Sequence, residues 1–528
     1  MRVYFDSFAS IGKRGKIHPS EVWKREDVLA AMDRAGIAAA LVVHGLAVTY
    51  DPVFGNRILL EEIAETERLY PCWVVLPPFV GDFPGPSELV QQMRDYGVLA
   101  AKIYPATYHF SLSETNVGEL FAALEDAGIP LLLELAEADL LSVQRLCGRF
   151  PNLRILLQKA HWRDLRELLP IFLRCRNLYL EFSSLQNHRV VEYLVALAGA
   201  ERLLFGSELP VKSAGAARAL IDYAEIPDTA KDALAAGNLA RLLGLQRVPA
   251  PKEGHFDELT AKAARGEPFH DELVIDAHAH VVHEGAQQAG GVVMPDASPE
   301  KQLRGYDRLG VNRIFASSYL GIWSDSAAGN AELAQVVARW PNRFVGYVTI
   351  DPTYLSDGEV LREIKTYHDE LHFPGLKPYY PRNALPLTDP RYEPWWQYAD
   401  AHNLFALIHF DLQKTEAEVD ELAERYPNVR FLCAHSGATF DFAEMVASLA
   451  ERHPNVFLEL TITSVPLTVI EFLVDRVGSK RILFGTDSPM RDPRPQFGWV
   501  VYTDLNVEQK RDILGRNAAR LLQGVRWG

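Results

Sequence analysis

RILFGTDSP, Arg481 to Pro489, reads as a short apolar strand running into a turn that carries an aspartate, and RLLFGSELP, Arg202 to Pro210, stands 279 positions earlier with the same shape. Outward from this pair the matches continue in the same order. DRAGIAAALVV from Asp33 resembles DRLGVNRIFAS from Asp307, and AKIYP around Lys102 resembles LKPYY around Lys377. PNLRILLQK from Pro151 matches PNVRFLCAH from Pro427, and GNLARLLG from Gly237 matches RNAARLLQ from Arg516. The offsets drift only from 274 to 279, so the chain is a tandem duplication with small loop insertions.

Within each copy, short apolar runs alternate with amphipathic stretches. The second copy shows LVIDAHAH, RIFASSY, FVGYVTI, FPGLKPYY, LFALIHF, VRFLCAHSG, VFLELT and RILFGTD, separated by segments such as TEAEVDELAERY. Near-continuous Val, Ile, Leu and Phe between helices predict a parallel sheet buried on both faces. Eight such strands in roughly 250 residues predict a (β/α)8 barrel, with an open doubly wound sheet as the alternative. The expected fold class is α/β, two tandem (β/α)8 TIM-like barrels over residues 1–247 and 273–528. Residues 248–272, with proline, glycine and charge and no counterpart before the first copy, read as a linker carrying one short helix.

Composition narrows the function classes. The formal net charge is −15 and no run of lysine and arginine offers a stripe for phosphates, so nucleic acid is not an expected partner. No window has the apolar length to cross a bilayer, and MRVYFDSFASIGKRGK lacks the apolar centre of a signal peptide, so no membrane partner and a cytoplasmic location are expected. Cys72, Cys147, Cys175 and Cys433 form no C-x-x-C pair, which implies neither a disulfide framework nor a thiolate zinc site.

The chemistry concentrates in the second copy. In DAHAH, His278 and His280 stand two apart on a strand and leave the same face. His409 closes LFALIH, His435 closes FLCAH and Asp487 follows RILFGT, so all five fall at carboxyl ends of predicted strands, where a barrel builds its site. Imidazoles with one carboxylate suit one divalent transition ion, zinc first and manganese as an alternative, better than magnesium or calcium. Lys377 is read as a partner for a substrate carboxylate, a carbamylated bridge between two ions, or a buried salt bridge. Its recurrence as Lys102 favours a structural role. Arg382, Arg491 and Arg494 lie in predicted loops and are candidates for binding an anionic substrate. Trp395 and Trp396 read as helix packing, Cys433 as a core residue sharing the face of His435, and Asn517, recurring as Asn238, as a cap or barrel-closing residue.

Asp276-Ala-His278-Ala-His280, Lys377 in GLKPYY, His409, His435 in AHSG, Asp487 in FGTDSP and the closing RNAARLL together resemble the amidohydrolase superfamily, in its amidohydrolase-related (amidohydrolase 2) branch. The resemblance implies a distorted TIM barrel with a mononuclear site. His278, His280 and His409 would be ligands, Asp487 a ligand or a base, and His435 a ligand or a catalytic acid, base or polarising group. It further implies a metal-dependent hydrolase of a small, carboxylated molecule, a decarboxylase or hydratase being the alternative. A third reading is a binding or scaffold protein without turnover. Dimers in this branch suggest that the two barrels form an intramolecular pseudo-dimer, with homo-oligomers also conceivable.

Carrying the site back through the duplication replaces DAHAH by Asp6-Ser7-Phe8-Ala9-Ser10, His409 by Glu134, His435 by Lys159 and Asp487 by Glu208. Phenylalanine cannot ligate and lysine repels a cation, so the first barrel is expected to hold no such metal. Asp6, Glu134 and Glu208 are instead expected to form a charge network with Lys102 and Lys159, or Glu134 and Glu208 a separate acid and base pair. His44, standing where the second copy has Ser318, reads as incidental.

Overall fold

The structure is a computed structural model that describes residues 2–15, 17–252, 256–378, 385–410 and 412–527. The chain divides into two compact units, Met1–Gln186 with Val190–Phe256, and Asn187–Arg189 with Asp257–Gly528.

The first unit carries eight strands: β1 (Phe5–Ile11), β2 (Ala39–His44), β3 (Leu69–Val74), β4 (Ala100–Ile103), β5 (Leu131–Glu134), β6 (Ile155–Gln158), β7 (Leu178–Glu181) and β8 (Leu203–Leu204). They are parallel and hydrogen-bonded in sequence order. In the second unit β9 (Ile275–Val281) is followed by a small hairpin, β10 (Gln288–Ala289) and β11 (Val292–Val293). The sheet then continues through β12 (Arg313–Ser318), β13 (Phe344–Val348), β14 (Gly375–Leu376), β15 (Phe405–Ile408), β16 (Arg430–Cys433), β17 (Val456–Glu459) and β18 (Ile482–Leu483).

An open doubly wound sheet reverses its strand order and leaves its edges apart. Here neither happens. Ser7 N donates to Phe205 O and Ser10 N to Leu209 O, and Ala277 N donates to Phe484 O and His280 N to Ser488 O, so strand one meets strand eight in each unit. The chain is therefore two tandem (β/α)8 TIM barrels. Inside the second, Ile275, Ala277, Phe315, Tyr347, Phe405, Leu407, Leu432 and Leu483 fill the interior, and Ala518 and Leu521 of the terminal helix Asn517–Gly524 pack against them. The first is filled alike by Phe5, Leu41, Val43, Cys72, Val74, Leu132, Leu156 and Leu204, with Leu239 and Leu242.

Closure rests on a carboxylate at the start of strand one. Asp276 Oδ1 accepts from His278 N at 2.9 Å and Thr486 N at 3.1 Å, and its Oδ2 accepts from Tyr306 Oη at 2.6 Å and Thr486 Oγ1 at 2.5 Å. Asp6 does the same with Phe8 N, Ser207 N and Ser207 Oγ. Asn517 Nδ2 donates to Ser479 O and Ile482 O, and Asn238 Nδ2 to Ala200 O and Leu203 O, which ties the terminal helix to the entry of strand eight in both units. The helix Glu258–Ala264 lies within the stretch read as a linker.

Trp395 and Trp396 are buried, and their indole N–H groups donate to His368 Nε2 at 2.7 Å and to Leu387 O. His368 Nδ1 in turn donates to Phe373 O. With Nε2 already accepting, a second proton has no place to sit, and burial lowers the His368 pKa to about 4.

Two outcomes follow. Asp276→Ala strands several buried donors, each worth about 1–3 kcal/mol; chemical unfolding should show a loss of about 3 kcal/mol or more, and an unchanged midpoint would refute the clasp. Because His368 titrates lower when folded than when unfolded, the unfolded chain takes up the proton first, and stability falls as pH drops from about 6.5 towards 4, by up to about 3 kcal/mol. His368→Gln, whose amide can keep both bonds without titrating, should show a flatter melting temperature against pH than the unaltered protein.

Candidate metal centre

The first pair of candidate ligands is set by a bulge. The β9–β12 register slips between Asp276 and Ala279, where β9 has one residue more than its neighbour. Ile275 and Ala277 face the barrel interior, whereas His278, within the slip, and His280, beyond it, face the mouth, their ring centroids 5.4 Å apart. Each ring is held from behind. His278 Nδ1 donates to Glu459 Oε2 at 2.8 Å, leaving Nε2 for the site, and His280 Nδ1 lies 2.9 Å from Ser317 Oγ. A carboxylate behind an imidazole fixes its tautomer and raises its basicity as a ligand.

Asp487 and His435 arrive by strained backbone. Their φ angles are 60° and 68°, in the left-handed region that costs a side-chain-bearing residue roughly 1–2 kcal/mol. Asp487 Oδ1 lies 2.8 Å from His280 Nε2, while Oδ2 is ion-paired to Arg491 Nη1, whose Nε donates to Thr463 Oγ1. His435 Nδ1 donates to Thr461 O, and its Nε2 lies 3.1 Å from His409 Nδ1. Lys377 Nζ donates to His278 Nε2 at 3.3 Å. Strand eight can pass this close only because residue 485 is glycine. A Cβ there would fall 2.3 Å from Glu459 Oε1 and 2.7 Å from His278 Cβ.

The electrostatics favour ligation. Burial, aided by the Lys377 charge, holds His278 well below the usual imidazole range, and burial likewise lowers His280 and His409. Burial would raise Asp487, yet Arg491 and the two histidines hold it well below the usual carboxylate range. Neutral imidazoles and an ionised carboxylate are the protonation states that bind a divalent ion. Ligand atoms of His278, His280 and Asp487 all lie within 4.8 Å of one another, and those of His278, His435 and Glu459 form a second such group. His409 lines the same pocket outside both groups. The free space among these side chains is about 30 Å³, room for about one water.

Other expected site residues fall differently. Arg382 lies outside the described residues. Arg494 is paired to Asp492 rather than facing the pocket lining. Cys433 does not share the face of His435: it lies between the inward Leu432 and Ala434, and the left-handed turn at His435 breaks the alternation that the sequence reading assumed. Glu459, Ser317 and Thr461 were not picked out from sequence. The signal for Glu459 was present, since the apolar run VFLE ends on a glutamate that recurs as Glu181.

The mouth of the first barrel keeps the geometry without the ligands. Lys159 and Glu208 have φ angles of 56° and 60°, matching His435 and Asp487. Lys102 Nζ pairs with Glu134 Oε1, Lys159 Nζ with Glu134 Oε2 and Glu208 Oε1, each at 2.8 Å, and Lys212 Nζ with Glu208 Oε2 at 2.5 Å. Asp6, expected in this network, is instead bound up in closing the barrel, and Lys212 joins in its place. Lys102 Nζ lies 4.3 Å from the centre of the Phe8 ring, a cation–π contact where the second barrel has His278. His44 is not idle: its Nδ1 accepts from Leu46 N and caps the helix Gly45–Thr49, as Ser318 caps Tyr319–Trp323.

The sequence model of the amidohydrolase family matches residues 24–245 and 275–524, one segment in each barrel. Among solved structures the chain is similar to 2,6-dihydroxybenzoate decarboxylase from Rhizobium (14% identity, TM-score 0.37), covering 48% of this chain and 99% of that one. It is also similar to 5-carboxyvanillate decarboxylase from Sphingomonas paucimobilis (16%, TM-score 0.38, covering 48% and 99%). A third is dihydroxybenzoic acid decarboxylase from Polaromonas sp. JS666, solved with manganese and an inhibitor (18%, TM-score 0.38, covering 48% and 97%).

Glu459→Gln keeps the shape and removes the carboxylate behind His278. Metal affinity measured against a chromophoric chelator should fall by about 10–100-fold. An unchanged affinity would mean that His278 is not a ligand.

Proposed function

The chain belongs to the amidohydrolase family, and from that premise we propose that its second barrel is a metal-dependent hydrolase of a small, carboxylated molecule, the first barrel having no turnover of its own. The observation that carries this reading is the cluster of His278, His280 and Asp487 ligand atoms within 4.8 Å, with His278 held by Glu459. His409 is the further ligand of the proposed set. Two or three nitrogens and one carboxylate oxygen suit zinc or manganese.

A divalent ion bound here supplies a water acidic enough to ionise near neutral pH and a charge that polarises a carbonyl. The chain's own groups divide the remaining work. Glu459 and Ser317 keep the two histidines aimed at the pocket. His435, neutral because burial lowers its pKa to about 3, keeps Nδ1 on Thr461 O and so turns Nε2 towards the pocket, where it can accept a hydrogen bond. Lys377, buried and lowered by burial to about 8, lines the pocket, and Arg491 stands behind Asp487. Lys377, the cation that lines the pocket, favours a substrate that carries a carboxylate.

One observation favours a lyase as the second reading. Both oxygens of Asp487 are engaged, one by His280 and one by Arg491, so it does not stand free as a base. Loss of carbon dioxide from a carboxylic acid needs a proton donor and no such base.

Metal content and turnover test both readings together. Purified protein should hold about one ion per chain after supplementation with zinc or manganese, and His278→Ala should lose the ion and about 10³-fold or more in kcat/KM. Acid release from small lactones or amides marks the hydrolase, and carbon dioxide release from small carboxylic acids marks the lyase. Turnover that survives both chelation and His278→Ala would overturn the metal-dependent site.

A further inference from the structure

The first barrel lost its histidines without filling its mouth. A cavity of about 240 Å³ remains there, against about 30 Å³ at the second barrel's site. Its walls are apolar at Phe8, Val43, Tyr104 and Leu209 and polar at Lys159 and Arg14. That volume lies below the roughly 300 Å³ at which drug-sized pockets begin, so an occupant is small.

Its hydrogen-bonding balance selects the occupant. The carboxylates around it are already engaged: Glu134 by Lys102 and Lys159, Glu208 by Lys159 and Lys212, and Glu137 by Thr107 N and Oγ1. Two cations keep donors to spare. An ammonium has three N–H groups, and Lys159 commits its ion pairs to two carboxylates while its side chain stays one-third exposed, facing the cavity. Arg14 gives Nη2 to Glu21 at 3.4 Å, and its buried Nη1 has no partner among the described residues. Unmet donors beside apolar walls call for an acceptor that is charged and carries an apolar body.

We propose that the mouth of the first barrel is a metal-independent binding site for a small monocarboxylate, held by Arg14 and Lys159 with its apolar body against Phe8 and Tyr104. Turnover there is not part of the assignment. An acid and base pair needs one carboxyl able to exchange a proton near neutral pH, whereas Lys102 and Lys159, working against burial, hold Glu134 down at about 2. Glu208 is clamped between Lys159 and Lys212.

The test uses 4-fluorobenzoate as the probe, followed by fluorine NMR on the full chain after treatment with a chelator. Saturable binding near about 1 mM is expected, the affinity of a fragment making one charge-assisted contact pair. Arg14→Gln should weaken it by about tenfold, and Val48→Trp, which fills the cavity, should abolish it, while His278→Ala leaves it unchanged. If Val48→Trp fails to fold, Arg14→Gln decides alone, since that side chain lies at the cavity rim. No saturable binding overturns the site, and so does binding that Arg14→Gln leaves intact or that His278→Ala removes.

Discussion

The carboxylate at the start of strand one is the constraint on which the rest depends. A parallel barrel closes only if its first and last strands are joined, and here backbone bonds such as Ala277 N to Phe484 O and His280 N to Ser488 O carry the junction past the two-residue β18. Asp276 adds side-chain acceptors to this junction, for Thr486 N and Oγ1 on one side and for His278 N on the other. Holding His278 N also stabilises the bulge, and the bulge turns His278 and His280 towards the mouth. Closure and ligand placement are thus one arrangement. The same clasp at Asp6 recurs in the first barrel, whose equivalent positions carry Phe8, Glu134, Lys159 and Glu208.

The same reasoning covers the strained positions. Left-handed residues with side chains persist where surrounding structure enforces them, and they cluster at functional sites. His435 and Asp487 fit that rule, but Lys159 and Glu208 adopt the same φ in a barrel without ligands. The backbone turn is therefore a property of how strands six and eight leave this barrel. The candidate site sits on a conformation that both copies adopt, with or without its histidines.

The duplication and the barrels were legible because they depend on patterns that sequence carries directly: apolar runs of strand length, helices between them, and recurrence at a nearly constant offset. The five residues of the candidate site were legible for the same reason, each ending a recognisable strand. What sequence did not disclose depends on breaks in periodicity. Alternation placed Cys433 with His435, and a single left-handed residue undid that. It gave no reason to pair Arg491 with Asp487, a contact made through a turn, nor to aim Glu459 at His278, whose partner is 181 positions away. Asp6 was misplaced because its charge suggested a network, whereas its backbone partners belong to closure.

What holds the mouth of the first barrel together follows from electrostatics. Glu134 and Glu208, standing where the second barrel has His409 and Asp487, must be compensated, because an unpaired buried charge costs far more than a paired one. Lysines at 102, 159 and 212 provide that compensation around Glu134 and Glu208, with Phe8 offering its ring face to Lys102 where the second barrel has the His278 imidazole. One trace of the older arrangement is uncompensated. Glu181 corresponds to Glu459, and its buried Oε2 has no hydrogen-bond partner among the described residues, where Glu459 Oε2 holds His278. Burial raises the Glu181 pKa to about 7, as it does for Glu459, against the pull of the Lys212 charge, so the two buried carboxyls share one electrostatic setting and differ in the imidazole that only Glu459 has beside it.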